Sequence, residues 1–130
     1  MMTSYSCSAM PPRSKTPPPR SKCPVSCALD LIGDRWSLLV VRDLMRGKRR
    51  FAEVLVSPEG IPTNILADRL KRLVEYGIAT TTQYIEHPPR LEYSLTEKGE
   101  GLRPVIREMV EWGVRYAGGR RPHVPMRPKT

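Results

Sequence analysis

The sequence predicts a mainly α-helical domain with one small β-hairpin, organised around a helix-turn-helix. Three observations support this fold class. A short apolar segment, a turn and a longer amphipathic helix occupy residues 51–77. The apolar period then changes to two over 78–95, and a broad apolar stripe marks a final helix over 96–117. Because that stripe exceeds what one small domain can cover, we expect dimerisation through the terminal helices.

The net charge of the chain comes almost entirely from its two ends. The 130 residues include 22 basic and 13 acidic residues, a formal net charge of +9. Residues 1–22 contain four basic residues and no acidic one, and so do residues 118–130. The middle, 23–117, therefore has 14 basic and 13 acidic residues. Basic ends suit a polyanion or simply aid solubility, so only charge placement within 23–117 can point to DNA.

Both ends also differ from the middle in composition. Residues 1–22 are rich in Ser, Pro and basic residues, and the pentapeptide Pro-Pro-Arg-Ser-Lys occurs at 11–15 and at 18–22. We expect a disordered or polyproline-II arm, either passive or adding salt-sensitive affinity for DNA. A basic tail over 118–130 follows two glycines. The expected organisation is one folded domain over 23–117.

Several classes of protein lack support in the sequence. No apolar run is long enough to span a bilayer and no secretion signal is visible, so we expect no membrane partner. Three cysteines are too few for a disulfide scaffold, which favours the cytoplasm. His87 and His123 lie far from the cysteines, so no metal or cofactor is predicted. No catalytic set of residues points to an enzyme.

Two helices are predicted ahead of the helix-turn-helix. The first begins at Cys23, has apolar residues at helical spacing and ends at Gly33. The second begins at Asp34, a good N-cap, and runs to Gly47. Its high apolar content predicts the central buried helix, with Trp36 packed in the core or between helices.

A basic loop over 46–50 carries four positive charges in five residues. Both a solvated turn and a phosphate clamp beside the reading helix fit this composition. Phe51 then anchors a short helix over 51–56, and residues 57–60 form a turn by composition.

The helix predicted over 62–76 is the reading helix of the motif. Gly60 and Pro62 mark its start, and Gly77 marks its end. Three leucines at i, i+4 and i+7 make one face apolar. The opposite face is polar and carries Thr63, Asn64, Asp68, Lys71 and Arg72. Such a face fits the major groove of DNA, although a solvated surface helix shows the same pattern.

A β-hairpin is predicted directly after the reading helix, in the position of a wing. Residues 78–84 and 91–95 alternate with period two, and a six-residue tip over 85–90 joins them. Arg90 at the tip can enter a minor groove or contact a phosphate. His87 is expected to be an exposed loop residue.

The last helix is predicted to begin after Thr96, a good N-cap, and Pro104 should kink it or divide it near residue 101. Its apolar stripe comprises Leu102, Val105, Ile106, Met109, Val110, Trp112, Gly113 and Tyr116. The stripe can pack on the first helix, on a second copy of the chain, or on both, and its width favours the dimer.

Five motifs stand in order along the chain: Cys23-Pro-Val, ALDLIGDRWSLL at 28–39, RRFAE at 49–53, GIPTNILADRL at 60–70 and PPRLEYSLT at 88–96. Together they closely resemble the HxlR-type transcriptional regulators, bacterial winged helix-turn-helix proteins related to the MarR group. The resemblance runs from about Cys23 to Gly113, so it covers the whole fold and neither end.

The resemblance implies a homodimer whose two reading helices enter successive major grooves while the wings reach flanking minor grooves. It implies neither activation nor repression, because the family includes both. The N-terminal cysteine that some members use to sense oxidants or electrophiles matches Cys23. Cys27 lies outside the family pattern, and its i, i+4 spacing from Cys23 is unfavourable for a direct disulfide.

We therefore expect a sequence-specific regulator that binds a pseudo-palindromic operator in double-stranded DNA, with half-sites about 34–36 Å apart. The candidate base contacts are Thr63 and Asn64, with Asp68, Arg69 and Lys71 behind them. The candidate phosphate contacts are Arg49, Arg50 and Arg72, and Arg90 acts from the wing.

Two other functions remain open at this stage. In one, Cys23 chemistry is the input and DNA binding the output, so the regulator responds to an oxidant or another small-molecule signal. In the other, a winged helix with basic ends binds RNA or protein instead of DNA. The sequence does not identify the operator, the regulated genes or a ligand.

Overall fold

The computed structural model describes residues 18–86 and 88–121 of the chain. Most of the predicted arm over 1–22 and of the tail over 118–130 lies outside these residues, as does His87. The elements are α1 (Pro24–Ile32), α2 (Ser37–Met45), α3 (Phe51–Leu55), α4 (Thr63–Glu75), β1 (Ala79–Glu86), β2 (Pro89–Leu95), α5 (Glu97–Glu100) and α6 (Arg103–Tyr116).

The first two helices lie where the sequence predicts them, with one correction at the start of α2. Helix α1 has Cys23 as its N-cap and Gly33 as its C-cap. Helix α2 begins at Ser37 rather than directly after Asp34, because residues 34–36 form a turn. The Asp34 carboxylate accepts hydrogen bonds from the backbone N–H groups of Trp36 (3.0 Å) and Ser37 (3.1 Å). Asp34 therefore caps α2 from outside the helix.

Helices α3 and α4 form the predicted helix-turn-helix, with bounds within one residue of those expected. Gly60 and Gly77 on either side of α4 have φ angles of +73° and +77°, a region that favours glycine. The three leucines of α4 are almost fully buried and form the centre of the core. The core residues around them include Val40, Val41, Val54 and Ile78, and Trp36 packs against this cluster as predicted.

The wing is longer than the sequence predicted. Glu86 pairs with Pro89 and Ile85 pairs with Arg90, so the strands extend into 85–90 and the predicted six-residue tip is wrong. Proline is tolerated at the first position of a strand, so the Pro-Pro sequence does not stop the pairing earlier. Arg90 therefore lies on β2, paired with Ile85, and not at the tip.

The hairpin register shifts between Gln83 and Ile85, which leaves Tyr84 as an extra residue in β1. This arrangement is a β-bulge, a feature that bends a strand and redirects a side chain.

The last helix is divided, as Pro104 predicted. Helix α5 ends at Glu100, and α6 begins at Arg103 with the proline in its first turn. The Thr96 hydroxyl accepts a hydrogen bond from the backbone N–H of Gly99 (3.2 Å), so the predicted cap is also confirmed. Ile106 is buried in the core, while the outer residues of the apolar stripe remain exposed.

Candidate nucleic-acid interface

The exposed polar side chains of helix α4 include Thr63 and Asn64 in its first turn and Lys71 two turns later. No side-chain hydrogen bond caps the first backbone N–H groups of α4 within the described residues. Those N–H groups are therefore available to an anion at the positive end of the helix dipole. The outer face of α4 can bind both base edges and a phosphate.

Three other predicted site residues are held in an internal chain of ion pairs. The Arg69 Nε atom lies 2.7 Å from Asp34 Oδ2, and the Arg69 side chain is only 15% exposed. Arg69 also donates to Asp68, which lies 3.1 Å from Arg72 Nε. Partial burial opposes ionisation of Asp34, but the Ser37 hydroxyl and other donors outweigh it and lower the pKa of this carboxyl to about 2.

The turn before α4 is anchored by a buried polar cluster that the sequence analysis missed. Asp43, only 2% exposed, accepts hydrogen bonds from the hydroxyl of Ser57 and from Arg42 Nη2 (2.9 Å). Arg42 also donates to both carboxylate oxygens of Glu59 at 2.8 Å, and this pairing lowers the pKa of Glu59 to about 2. The cluster fixes the start of α4 to α2. Its only sequence signal is an adjacent Arg-Asp pair in an apolar helix.

The basic loop 46–50 is anchored as well. Lys48 Nζ donates to Ser57 Oγ at 2.8 Å, which joins the loop to the cluster around Asp43. Glu53 Oε1 accepts from the backbone N–H groups of Arg49 (2.8 Å) and Arg50 (3.1 Å). These bonds lower the pKa of Glu53 and fix the path of the loop into α3. The loop is therefore joined to Ser57 and to α3 while Arg49 and Arg50 stay exposed, which fits both the solvated turn and the phosphate clamp.

The loop also pairs with the wing. Arg50 forms a β-bridge with Glu92, and the backbone N–H of Tyr93 donates to the carbonyl oxygen of Arg49 at 2.7 Å. The side chains add two further bonds: Arg49 Nη1 donates to Ser94 Oγ (2.7 Å) and Arg50 Nε donates to Glu92 Oε2 (3.1 Å). Both arginines remain exposed, so each contacts the wing and faces solvent.

Arg90 is exposed on the outer part of the wing. A cleft of about 510 Å³ separates this part of the hairpin from α3, and its lining includes Arg50, Phe51, Tyr84, Arg90 and Tyr93. Two cations, one on the loop and one on the wing, therefore flank the same opening.

Cys23 lies far from α4 in sequence, at the exposed N-cap of α1. The backbone N–H groups of Ser26 and Val25 lower the pKa of its thiol. A thiol with a lowered pKa has a larger thiolate fraction and reacts more readily with oxidants and electrophiles. Cys27, one turn further on, is buried.

Helices α1 and α6 both expose large apolar side chains. Val25 of α1 is 66% exposed and Trp112 of α6 is 63% exposed. The Trp112 and Tyr116 rings lie 5.5 Å apart between centroids. We call the exposed large apolar side chains of these two helices the exposed terminal residues. They are Val25, Leu29, Val105, Met109, Trp112 and Tyr116.

Within residues 18–86 and 88–121, no group of three or more His, Cys, Asp or Glu side chains could hold a metal ion. No helix in the same ranges has the combined length and apolar character that crossing a bilayer requires.

The helix-turn-helix, the exposed polar face of α4 and the following hairpin define a winged helix-turn-helix protein. The family model described as HxlR-like helix-turn-helix matches residues 31–120. The chain belongs to this HxlR-like family and is a transcriptional regulator with a helix-turn-helix DNA-binding domain.

The chain is 41% identical over 91 residues to an uncharacterized HTH-type transcriptional regulator from Synechocystis sp., covering 70% of this chain and 67% of that protein. It spans 58% of the length of further regulators of this kind from Mycobacterium tuberculosis. A putative MarR-family transcriptional regulator from Porphyromonas gingivalis has a similar structure, with a TM-score of 0.67, 36% identity, and coverage of 72% of this chain and 92% of that one.

The structure of the redox regulator HypR in its oxidized form is also similar. Its TM-score is 0.65 at 36% identity, with coverage of 77% of this chain and 100% of that chain.

Proposed function

We propose that the protein is a sequence-specific regulator that binds double-stranded DNA as a homodimer, with α4 in the major groove and the wing reaching the flanking minor groove. The observation that carries this proposal is the exposure of Thr63 at the start of α4 and of Asn64 and Lys71 on the face opposite its buried leucines. An α-helix fits the width of the major groove, where hydroxyl, amide and ammonium groups can read base edges.

The proposal divides the predicted site residues by their surroundings. Thr63 and Asn64 contact bases, because both are exposed in the first turn of α4 and their hydroxyl and amide groups can form hydrogen bonds with base edges. Lys71 contacts a base edge or phosphate further along the groove. Asp68 and Arg69 support this face through their ion pairs, since Arg69 is largely buried against Asp34. Asp68 and Arg69 therefore affect DNA binding by holding α4 in position.

Phosphate contacts form the second part of the proposal. Arg72 is 47% exposed beside Asp68, and Arg49 stands exposed at the junction of loop and wing. Arg90 contacts the backbone or the minor groove from β2. Contacts to phosphates set position and orientation without reading sequence.

The homodimer is supported by the exposed terminal residues. Isolated exposed apolar side chains are ordinary, but Trp112 and Tyr116 form an adjacent aromatic pair on one helix. Burying such aromatic surface favours association. A two-fold dimer would present α4 twice and bind a pseudo-palindrome with half-sites about 34–36 Å apart. A cytoplasmic location follows from this role.

The proposal is tested by fluorescence anisotropy with duplexes from the promoters of its own gene and its neighbours. We expect one duplex to bind about 10³-fold or more tightly than a scrambled duplex at physiological salt, as specific sites do. Equal affinity for both duplexes would contradict specific regulation. Stronger competition by structured RNA than by duplex DNA would support the RNA-binding alternative instead.

Control of DNA binding by Cys23 is the second candidate function. The exposed position of this thiol and the lowering of its pKa by helix N–H groups favour it. The structural similarity to the redox regulator HypR is consistent with control by Cys23. Mass spectrometry after mild oxidant or electrophile treatment, paired with the anisotropy assay, tests this candidate. An unmodified Cys23 with unchanged DNA affinity would eliminate it, and Cys23→Ser is the matched control.

A further inference from the structure

We propose that Arg50 is a positioning residue for the wing: it holds the outer half of the hairpin in the direction that brings Arg90 to DNA. The inference rests on the proposed DNA-binding function and assigns a different role to a side chain whose charge alone would suggest a phosphate contact. Tyr84 and Glu92 are the two residues through which Arg50 acts.

One arginine side chain joins both strands of the wing. The guanidinium carbon of Arg50 lies 4.0 Å from the centroid of the Tyr84 ring on β1. Its Nε atom donates to Glu92 Oε2 on β2 at 3.1 Å, and the backbones of Arg50 and Glu92 form a β-bridge. A planar guanidinium can stack on a ring with its face while it donates hydrogen bonds from its edge.

The contact falls at the point where the strand changes direction. Tyr84 is the extra residue of the β-bulge, between the paired positions Gln83 and Ile85. Because a bulge bends and twists the strand locally, holding Tyr84 in place also restrains the direction of the hairpin beyond it. The residues beyond it on the opposite strand include Arg90, which pairs with Ile85.

Among the residues that the structure describes, little else restrains the outer half of the hairpin. A cleft of about 510 Å³ separates this half from α3, so the two elements do not pack closely there. The apolar side chains nearby are only partly covered: Ile85 is 42% exposed and Leu91 is 40% exposed. A segment with few buried contacts opens at low free energy, so one well-placed side chain can decide its direction.

A double-mutant cycle in DNA binding separates positioning from direct phosphate contact. Arg90→Ala should weaken specific binding by about 5- to 150-fold, the range for one direct contact. If Arg50 acts through the wing, Arg50→Gln should also weaken binding, and the double variant should bind no worse than Arg90→Ala alone. The proposal would be overturned if the double variant showed the product of the two single fold-losses in affinity. Arg50→Gln would then also reduce the slope of log affinity against log salt concentration by a further ~0.9.

A neutral residue gives the second test. Tyr84→Leu removes the ring under Arg50 without changing the charge of the protein. If Arg50 positions the wing, this variant should show most of the loss of DNA affinity seen with Arg50→Gln. Tyr84→Phe keeps the ring and should bind as the unmodified protein does. Arg107→Gln on α6 is the charge-matched control, because Arg107 is exposed on a different element. Normal binding by Tyr84→Leu would contradict the positioning role.

A measurement without DNA keeps this inference separate from the proposed function. Hydrogen exchange should accelerate at backbone amides beyond the bulge in Arg50→Gln and Tyr84→Leu, while amides of α4 keep their protection and report an intact fold. Unchanged exchange in the outer hairpin would overturn the positioning role even if DNA binding is confirmed. Accelerated exchange in a protein that binds no specific DNA would support the restraint and refute the proposed function.

Discussion

Asp34 and Arg69 form an ion pair, 2.7 Å between Oδ2 and Nε, that joins the turn after α1 to the middle of α4. The same carboxylate caps α2 through the backbone N–H groups of Trp36 and Ser37. One side chain therefore links the end of α1, the start of α2 and the helix proposed to read DNA. The orientation of α4 depends on this link as well as on its leucines.

The first prediction concerns this ion pair. Asp34→Asn should lower the free energy of unfolding by about 1–3 kcal/mol, because the mostly buried guanidinium of Arg69 loses the Asp34 carboxylate and keeps its bond to the more exposed Asp68. Urea denaturation followed by circular dichroism measures the change. Glu86→Gln on the exposed end of β1 is the control and should stay within about 0.5 kcal/mol of the unmodified protein. A loss no larger than that of the control would show that the pair does not stabilise the fold.

The second prediction is a loss of stability in acid. The pKa values of Asp34 and Glu59 are both lowered to about 2 in the folded protein, from ordinary values of 3.8 and 4.5. The unfolded state therefore binds more protons in this interval. The stabilisation from both groups is fully present above about pH 5 and should fall as the pH drops from about 4.5 toward 2.

Urea titrations at a series of pH values measure this dependence. The Asp34→Asn, Glu59→Gln double variant should show a shallower decline over the same interval, because two of the responsible groups no longer titrate. Equal steepness in the double variant and the unmodified protein would assign the acid sensitivity to other carboxylates.

The third prediction separates base contacts from phosphate contacts on α4. Asn64→Ala should cost about 1–3 kcal/mol on the preferred duplex and relax the preference at one position of the site. Lys71→Ala, if it removes a phosphate contact, should weaken binding to all duplexes alike and reduce the salt slope by about 0.9. Anisotropy titrations over a set of single-base variants of the duplex measure both effects. An Asn64→Ala variant with an unchanged sequence preference would exclude this base contact.

The helix that carries these residues could be predicted from sequence because its determinants are local. Glycine on each side and leucines one turn apart fix its ends and its buried face, and the exposure of Asn64 and Lys71 follows from that periodicity. Arg69 shares the same helix, yet its surroundings depend on Asp34, which is 35 residues away along the chain. Local patterns contain no information about such a partner.

The wing shows more clearly that local sequence patterns do not identify contacts between distant parts of the chain. Breaker residues over 85–90 suggested a long tip, but strand pairing extends to Glu86 and Pro89 because cross-strand hydrogen bonds outweigh local propensity. The contact of Arg50 with Tyr84 depends on a bulge that no local pattern marks. The bonds of Arg42 to the buried Asp43 and to Glu59 likewise appear only when the turn folds back onto α2.

The last prediction concerns the exposed terminal residues. Trp112→Ser should shift the protein from dimer to monomer, because Trp112 is 63% exposed and pairs with the Tyr116 ring on the outer face of α6. Truncating one aromatic anchor of an interface costs about 2–4 kcal/mol, and a two-fold dimer loses two of them, so association should weaken by at least about 30-fold. Sedimentation equilibrium measures the association constant of the dimer. The control is Arg107→Ser, which changes another exposed residue of α6. DNA affinity should fall in the Trp112→Ser variant alone, since a monomer contacts one half-site. A chain that is monomeric without any substitution would instead require a single α4 to account for all of the binding.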